Sequence, residues 1–253
     1  MAINPTAAGG FSSAAATYAR IRPTYARAAI GAIKDLGGRG AHVVDVAAGT
    51  GILTGQLVRA GLTATAVEPL DAMARHLRLA LPQVPVVSGT AEALPLRDDV
   101  ADLCTVGQGF HWFDAPAALA EAARVLRGGG ALVLAWNVRD ESVGWVHDLT
   151  RLVEDRTGGR PYDDHREHDW ADVIGAAEGF GPVGELRFPN PVPTTVPGVL
   201  DRLRSTSFVA ALDEGPRASL LDEAAALLAA RPDLVGTFDY PHDTVLHWCR
   251  RTS

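Results

Sequence analysis

Residue types able to do chemistry fall where apolar runs end. Val43-Val44-Asp45-Val46 runs into Ala47-Ala48-Gly49-Thr50-Gly51, then into an amphipathic pattern that begins at Ile52. Glycines at such a strand-to-helix turn let a ligand approach the backbone closely, and the helix start offers N–H groups that have no partner inside the helix. A second run, Thr63 to Val67, ends on Glu68, Pro69 and Leu70. An ionised carboxylate there accepts a pair of O–H donors in short, charge-assisted bonds. A third run leads into the polar turn Gly89 to Leu96, which holds Thr90, Ala91 and Glu92, and a fourth into Gln108-Gly109-Phe110-His111-Trp112. A histidine just past a strand is placed to take up a proton. Tyr18 and Arg22 lie near the N-terminus.

The elements that position these groups follow from periodicity. Phe11 to Leu36 reads as two short helices broken at Arg22-Pro23. Strands are expected at about His42–Ala47, Thr63–Val67, Val84–Ser88, Ala101–Gly107 and Ala131–Trp136. Helical patterns run from Ile52 to Ala60, from Asp71 to Leu81 with Met73, Leu77 and Leu81 on one face, and from Pro116 to Leu126 with Gly128-Gly129-Gly130 as the stop. Strands alternating with helices imply βαβ units, hence a parallel sheet with right-handed crossovers. Beyond Asn137 the rhythm changes. Helices are expected at Val146–Arg156 and Trp170–Glu178, a proline-interrupted edge strand at Glu185–Pro193, a helical insertion at Val196–Pro232 (helices Val199–Arg204 and Ala218–Ala230), and a final strand at Thr244–Arg250.

Bulk properties narrow the partners. A net charge of -7 over 253 residues lacks the basic footprint of a nucleic-acid binder. No apolar run approaches the length of a membrane span, and the first ten residues read as no signal peptide. Cys104 and Cys249 both sit in apolar runs and read as buried, reduced thiols, which suits a cytoplasmic protein. No zinc-ligand spacing occurs, and His165 and His168 in a polar link read as solvated, so no metal site is expected.

The turn at 45–51 suits either a pyrophosphate or S-adenosylmethionine (SAM). A dinucleotide fingerprint needs G-x-G-x-x-G. Here Gly49-x-Gly51 is followed by Ile52, Leu53 and Thr54, and Gly55 comes one place late. SAM carries no phosphate and does not need that third glycine. VVDVAAGTGILT (43–54), VEP (67–69), GTAEALPL (89–96), ADLCTVGQGFHWFD (101–114) and EAARVLRGGGALVLAWN (121–137) stand in one order. With these motifs the chain resembles the class I SAM-dependent methyltransferases, more narrowly the small-molecule branch of trans-aconitate-methyltransferase-like (methyltransferase type 11) proteins.

The resemblance implies an α/β fold: a Rossmann-like, seven-stranded, mostly parallel sheet flanked by helices, its last strand antiparallel and preceded by a helical insertion. One domain would span 1–253, with a helical lid at 11–40, a SAM-binding core at 41–137, acceptor-side helices and insertion at 138–235, and the final strand at 236–253. Asp45 and the backbone of Ala47, Gly49, Thr50 and Gly51 would meet the methionine end of SAM. Glu68 would bind the ribose, Pro69 and Leu70 would pack on adenine, and Thr90, Ala91 and Glu92 would line the adenine edge, with the Ala91 N–H as donor. Gln108 would sit under the sulfonium, with His111 and Trp112 flanking the transfer site. An N-terminal helix would bring Tyr18 over the cofactor and Arg22 to its carboxylate; a helix-end arginine and a core-packing tyrosine are the other reading of these two. The family's first glycine is Ala47 here, which calls for a negative φ at that residue.

The expected reaction is methyl transfer to a small-molecule acceptor, oxygen (carboxylate or hydroxyl) ahead of nitrogen, with S-adenosylhomocysteine as product. His111 is the best candidate for a base, the other reading being a residue that positions the acceptor or shapes the pocket. Trp112, Phe113, Trp136, Trp145 and Phe208 are candidates for an acceptor pocket or for plain core, and Arg139, Arg160, Arg166, Arg202 and Arg204 for a carboxylate contact or plain surface. The [Asn/Asp]-Pro-Pro-aromatic loop used on amino groups is missing. A SAM-binding protein without methyl transfer and an NAD(P)-linked oxidoreductase on a similar fold are the alternatives.

Overall fold

The computed structural model describes residues 22–159 and 169–252. The described chain divides into two compact units. A sheet unit holds residues 24–137, 169–188 and 244–252, and a helical unit holds 22–23, 138–159 and 189–243.

The sheet unit opens with α1 (Arg27–Gly37), whose buried face Ala29, Ile30 and Ile33 has helical spacing. Then come β1 (His42–Val46), α2 (Ile52–Arg59), β2 (Thr63–Val67), α3 (Asp71–Ala80), β3 (Val86–Val87), β4 (Ala101–Gly107), a single 3₁₀ turn at Phe110–Trp112, α4 (Ala115–Val125) and β5 (Leu126–Arg139). The short α6 (Trp170–Gly175), β6 (Gly184–Pro189) and β9 (His242–Arg250) complete it, with the division between units falling inside β5 and β9. The seven strands lie in the order β3-β2-β1-β4-β5-β9-β6. β3, β2, β1, β4 and β5 are mutually parallel. β9 is the antiparallel strand: Gly129 N–H bonds Arg251 O while Asp140 N–H bonds Pro241 O, so the two chains run in opposite senses. Ile33, Val43, Leu57, Leu77, Leu103 and Val133 form a fully buried core on the β1–β4 neighbourhood. Strands buried on both faces read as continuous apolar runs, which is how β1, β4 and β5 read.

The helical unit contains α5 (Gly144–Thr157), the short ribbon of β7 (Val192–Thr194) with β8 (Phe238–Tyr240), α7 (Val196–Arg204), α8 (Ser207–Ala210) and α9 (Glu214–Ala229). α9 buries Leu220, Ala224 and Leu228 at i, i+4 and i+8, a single stripe that packs on α5 and α7.

Several boundaries differ from the sequence reading. Gly128–Gly130 lies inside β5 instead of stopping the preceding helix, because the backbone of Gly129 and Gly130 pairs with Arg251, a long-range partner that local propensity does not register. The third strand shrinks from Val84–Ser88 to Val86–Val87, and the helix at 170 ends at Gly175. The stretch Glu185–Pro193 splits in two at Asn190, whose N–H bonds His242 O; its first half is the sheet's edge, where a proline is tolerated. Helices α7 and α9 each begin earlier than expected, at Val196 and Glu214, and the final strand begins at His242.

Candidate functional site

Three candidate groups stand at the carboxyl ends of neighbouring parallel strands. Asp45 is near the end of β1, Glu68 follows β2 and Gln108 follows β4, and the registers Val46↔Val67 and Val46↔Val106 bring those ends level. Strand order reverses between β1 and β4, and the crevice at such a reversal is where open α/β sheets bind ligands.

The turn after β1 is held in an unusual backbone. Gly49 has φ +59 and Gly51 φ +85. A Cβ on Gly51 would sit 2.9 Å from Leu77 Cγ, whereas one on Gly49 would meet nothing within 4 Å, so Gly51 is needed for packing and Gly49 faces open space. Ala47 has φ +52, the left-handed region, and this overturns the expectation of a negative φ there. The turn demands a glycine-like conformation, fastened by Ala48 N–H to Val67 O at 3.1 Å and Gly51 N–H to Ala48 O at 2.9 Å, and the alanine absorbs the cost.

Two buried carboxylates brace this turn. Asp45, 1% exposed, accepts the Thr54 hydroxyl at 2.5 Å on one oxygen and the Thr105 hydroxyl at 2.8 Å on the other. Burial raises its pKa to about 6, with these bonds opposing. Its carboxylate thus ties α2 and β4 to β1 from beneath the turn. Glu68, 4% exposed, takes the Gly49 N–H on one oxygen and the Leu70 N–H on the other, both at 2.8 Å. Burial raises its pKa while the two N–H bonds lower it. A carboxylate has about four lone-pair sites, so each Glu68 oxygen retains acceptor capacity. Thr54 and Thr105 are not among the site residues the sequence suggests; a threonine inside an otherwise apolar stretch, helical for Thr54 and strand for Thr105, is the signal for them, since a buried hydroxyl needs a partner.

The turn after β3 is also fastened. Ala93 N–H bonds Thr90 O at 3.3 Å, the Glu92 carboxylate accepts Asp114 N–H at 3.1 Å, and Glu121 accepts Leu94 N–H at 2.7 Å. Arg124 forks onto Glu121 and Asp98 and donates to the carbonyls of Leu94 and Leu96. Ala91 is buried, and its N–H donates to no described residue. The Thr50 hydroxyl is likewise buried without a partner among the described residues.

Past β4, Gln108 has φ +59, its N–H bonds Ala135 O at 2.9 Å and its amide reaches Asn137 O at 3.3 Å. Asn137, also unforeseen, accepts the Thr244 hydroxyl at 2.7 Å. The 3₁₀ turn sets the His111 and Trp112 rings 4.9 Å apart, both partly exposed. Phe110 is buried against Phe113 and Trp170, and Trp170 stacks on Trp136 at 5.3 Å. The five aromatic pocket candidates do not form one group: Phe113 and Trp136 belong to this sheet-unit cluster, Trp145 and Phe208 to the helical-unit core. Pro69 and Leu70 follow Glu68 and are partly exposed. Arg22 lies in the helical unit and Arg204 pairs with Asp201 at 2.6 Å. Tyr18, Arg160, His165, Arg166 and His168 lie outside the described residues. Cys104 and Cys249 are free and buried, and burial pushes both thiols up to about 12. No helix among the described residues is long and apolar enough to cross a membrane.

The cradle fits SAM on three observations: the open face of Gly49, the unpartnered Thr50 hydroxyl and Ala91 N–H, and the spare acceptor capacity of Glu68. Comparison with known proteins gives the family. The methyltransferase-domain family matches residues 44–134. An uncharacterized methyltransferase of Mycobacterium tuberculosis is 38% identical over 227 residues, 90% of this chain and 88% of that protein. Among solved structures, one described as a type II methyltransferase from Anaeromyxobacter dehalogenans shares the fold with TM-score 0.66 and 23% identity over 91% of this chain and 96% of that one. A geranyl diphosphate methyltransferase in complex with SAM aligns with TM-score 0.50 and 17% identity over 89% and 85%. Identity of this extent along nine-tenths of the chain, on a sheet whose strand ends carry the cradle residues, makes the protein a member of the methyltransferase family.

Proposed function

We propose that this chain transfers the methyl group of SAM to an oxygen, carboxylate or hydroxyl, of a small molecule. The observation that carries the reading is Glu68, bound to the Gly49 N–H of the glycine turn while keeping lone pairs free at the strand-order reversal. SAM supplies an electrophilic methyl carbon. The Ala47–Gly51 backbone and the Thr50 hydroxyl hold its methionyl end, and Glu68 accepts the ribose hydroxyls. Pro69 and Leu70 pack on adenine, the Ala91 N–H donates to the base, and Thr90 and Glu92 line its edge. Asp45 acts through Thr54 and Thr105 as a positioning residue. Gln108 would sit on the sulfonium side of the cradle, and Trp112 would close the transfer site. Displacement at a methyl carbon is helped chiefly by holding the acceptor oxygen in line, about 3 Å away. With SAM bound, His111 would take the proton of a hydroxyl acceptor as the methyl–sulfur bond breaks, so the oxygen would gain a methyl and lose a hydrogen while S-adenosylhomocysteine leaves.

Calorimetric titration with SAM, followed by a screen of acidic, phenolic and amine metabolites for S-adenosylhomocysteine release, tests the reading. SAM binding with product release from an acid or phenol is expected. Binding without release from any acceptor would leave a SAM-binding protein that transfers nothing, and nicotinamide-dinucleotide binding in place of SAM would overturn the reading outright.

A further inference from the structure

The helical unit holds a second concentration of chemistry. Tyr240, 2% exposed, ends β8, and three side chains meet its ring. The Arg202 guanidinium from α7 lies 5.4 Å over the ring centroid, the His242 imidazole edge packs at 4.5 Å, and Trp145 tilts against it at 4.9 Å. Three arginines of this unit have carboxylates, Arg156 with Glu223 at 2.6 Å, Arg204 with Asp201 at 2.6 Å, and Arg231 with Asp148, while the exposed Arg151 and the half-buried Arg217 have none among the described residues. Arg202 and Arg139 have none among the described residues. The Arg202 pKa falls to about 10 through burial, with Arg139 and Arg22 adding like-charge repulsion and Tyr240 opposing. The site is therefore a partly desolvated cationic one that lacks an internal anion. Burying an unpaired guanidinium is costly, and proteins keep such groups where an anion is received.

His242 supplies the second, independent observation. It is 3% exposed, and its Nδ1 lies 2.9 Å from the Tyr240 carbonyl oxygen. A carbonyl only accepts, so Nδ1 carries the proton and Nε2 presents a lone pair. That Nε2 is buried and has no hydrogen-bond partner among the described residues. Burial, with Arg202 nearby, lowers the ring's pKa to about 3, against the Tyr240 bond, so the imidazole is neutral and its Nε2 remains an acceptor. A sulfate dianion offers this nitrogen only acceptor oxygens. A carboxylic acid with a hydroxyl group offers both halves, a carboxylate for the guanidinium and an O–H for the imidazole.

We propose that the helical unit carries a binding site for a small hydroxy-carboxylate, its carboxylate held by Arg202 and Arg139 and its hydroxyl donated to His242 Nε2. The inference concerns these residues alone and does not rest on the cofactor reading, because its readout needs no SAM.

Titration calorimetry of the full chain with malate, succinate and sulfate tests it. Malate is expected to bind saturably, with succinate, lacking the hydroxyl, at least about tenfold weaker and sulfate weaker still. His242→Phe should bring malate down to the succinate level and leave succinate unchanged. Arg202→Gln should cost at least about tenfold for both acids, and Arg202→Lys should recover part of it. Thermal melting of each variant separates loss of binding from loss of fold, and Arg139→Gln repeats the charge test if Arg202→Gln does not fold. No saturable heat with either acid, unchanged binding in folded Arg202→Gln or Arg139→Gln, or sulfate bound as tightly as malate would overturn the proposal. SAM binding with no acid binding removes this inference and leaves the methyltransferase reading intact; the reverse result does the opposite.

Discussion

The turn after β1 and the cluster around Tyr240 treat buried polar groups in opposite ways. At the turn, both carboxylates are matched oxygen by oxygen: Asp45 to two hydroxyls, Glu68 to two backbone N–H groups. Around Tyr240, a guanidinium lacks a carboxylate and an imidazole nitrogen lacks any partner among the described residues. A satisfied buried group fixes geometry, since removing it strands its partners. An unsatisfied one contributes little to the fold and keeps its interaction free for a ligand. The two regions should therefore respond to truncation with stability changes of different size.

The largest effect is expected at Asp45. Asp45→Ala strands the Thr54 and Thr105 hydroxyls and opens a cavity, and urea unfolding at about pH 5 should show a loss of about 3 kcal/mol. The isosteric Asp45→Asn can satisfy both threonines, one as acceptor and one as donor, so it separates shape from charge. With the folded pKa raised from 3.8 to about 6, the native state binds the proton more tightly than the unfolded chain. The stability this provides is complete below about pH 4 and is lost as pH rises through 6, an amount of roughly 3 kcal/mol. Asp45→Asn should abolish that slope. A wild-type protein with no loss of stability over this range would break the claim that Asp45 is a desolvated carboxylate.

Glu68→Ala comes next. It leaves the Gly49 and Leu70 N–H groups without their acceptor, so a loss of about 2 kcal/mol is expected together with a SAM affinity at least about tenfold lower. Stability lost with SAM affinity retained would mean that Glu68 only braces the turn. For Arg202→Met the expected change is within about 1 kcal/mol of wild type, because no buried carboxylate is stranded and only the contact with Tyr240 is given up. A loss as large as that of Asp45→Ala would erase the contrast between the two regions.

The same contrast explains what was legible in the sequence. The cradle was readable because its parts are local: β-branched runs ending on Asp45 and Glu68, glycines at fixed offsets, and strand–helix alternation that orders the sheet. Thr54, Thr105 and Asn137 were missed because each acquires its role from a partner on another element. Gly128–Gly130 looked like a helix stop and is strand for the same reason, its pairing partner being Arg251. The Tyr240 cluster was less visible still. Arg202 and Arg139 are far apart in sequence and stood among several arginines of equal standing until the fold assigned carboxylates to some and not to others.

The smallest effect tests the strain in the turn itself. A non-glycine residue in the left-handed region costs about 1–2 kcal/mol, and a glycine there costs about 0.5–1 kcal/mol of extra unfolded-state entropy. Ala47 has φ +52, so Ala47→Gly should raise stability by about 0.5 kcal/mol, read as a small upward shift of the urea midpoint with unchanged slope. The substitution removes only a methyl group from a backbone already in its glycine-like conformation, so SAM affinity should hold or improve slightly. If stability falls instead, the Ala47 methyl makes packing contacts worth more than the strain. If stability rises while SAM affinity drops, that methyl is itself part of the cradle, and the alanine stands at this position for the ligand's sake.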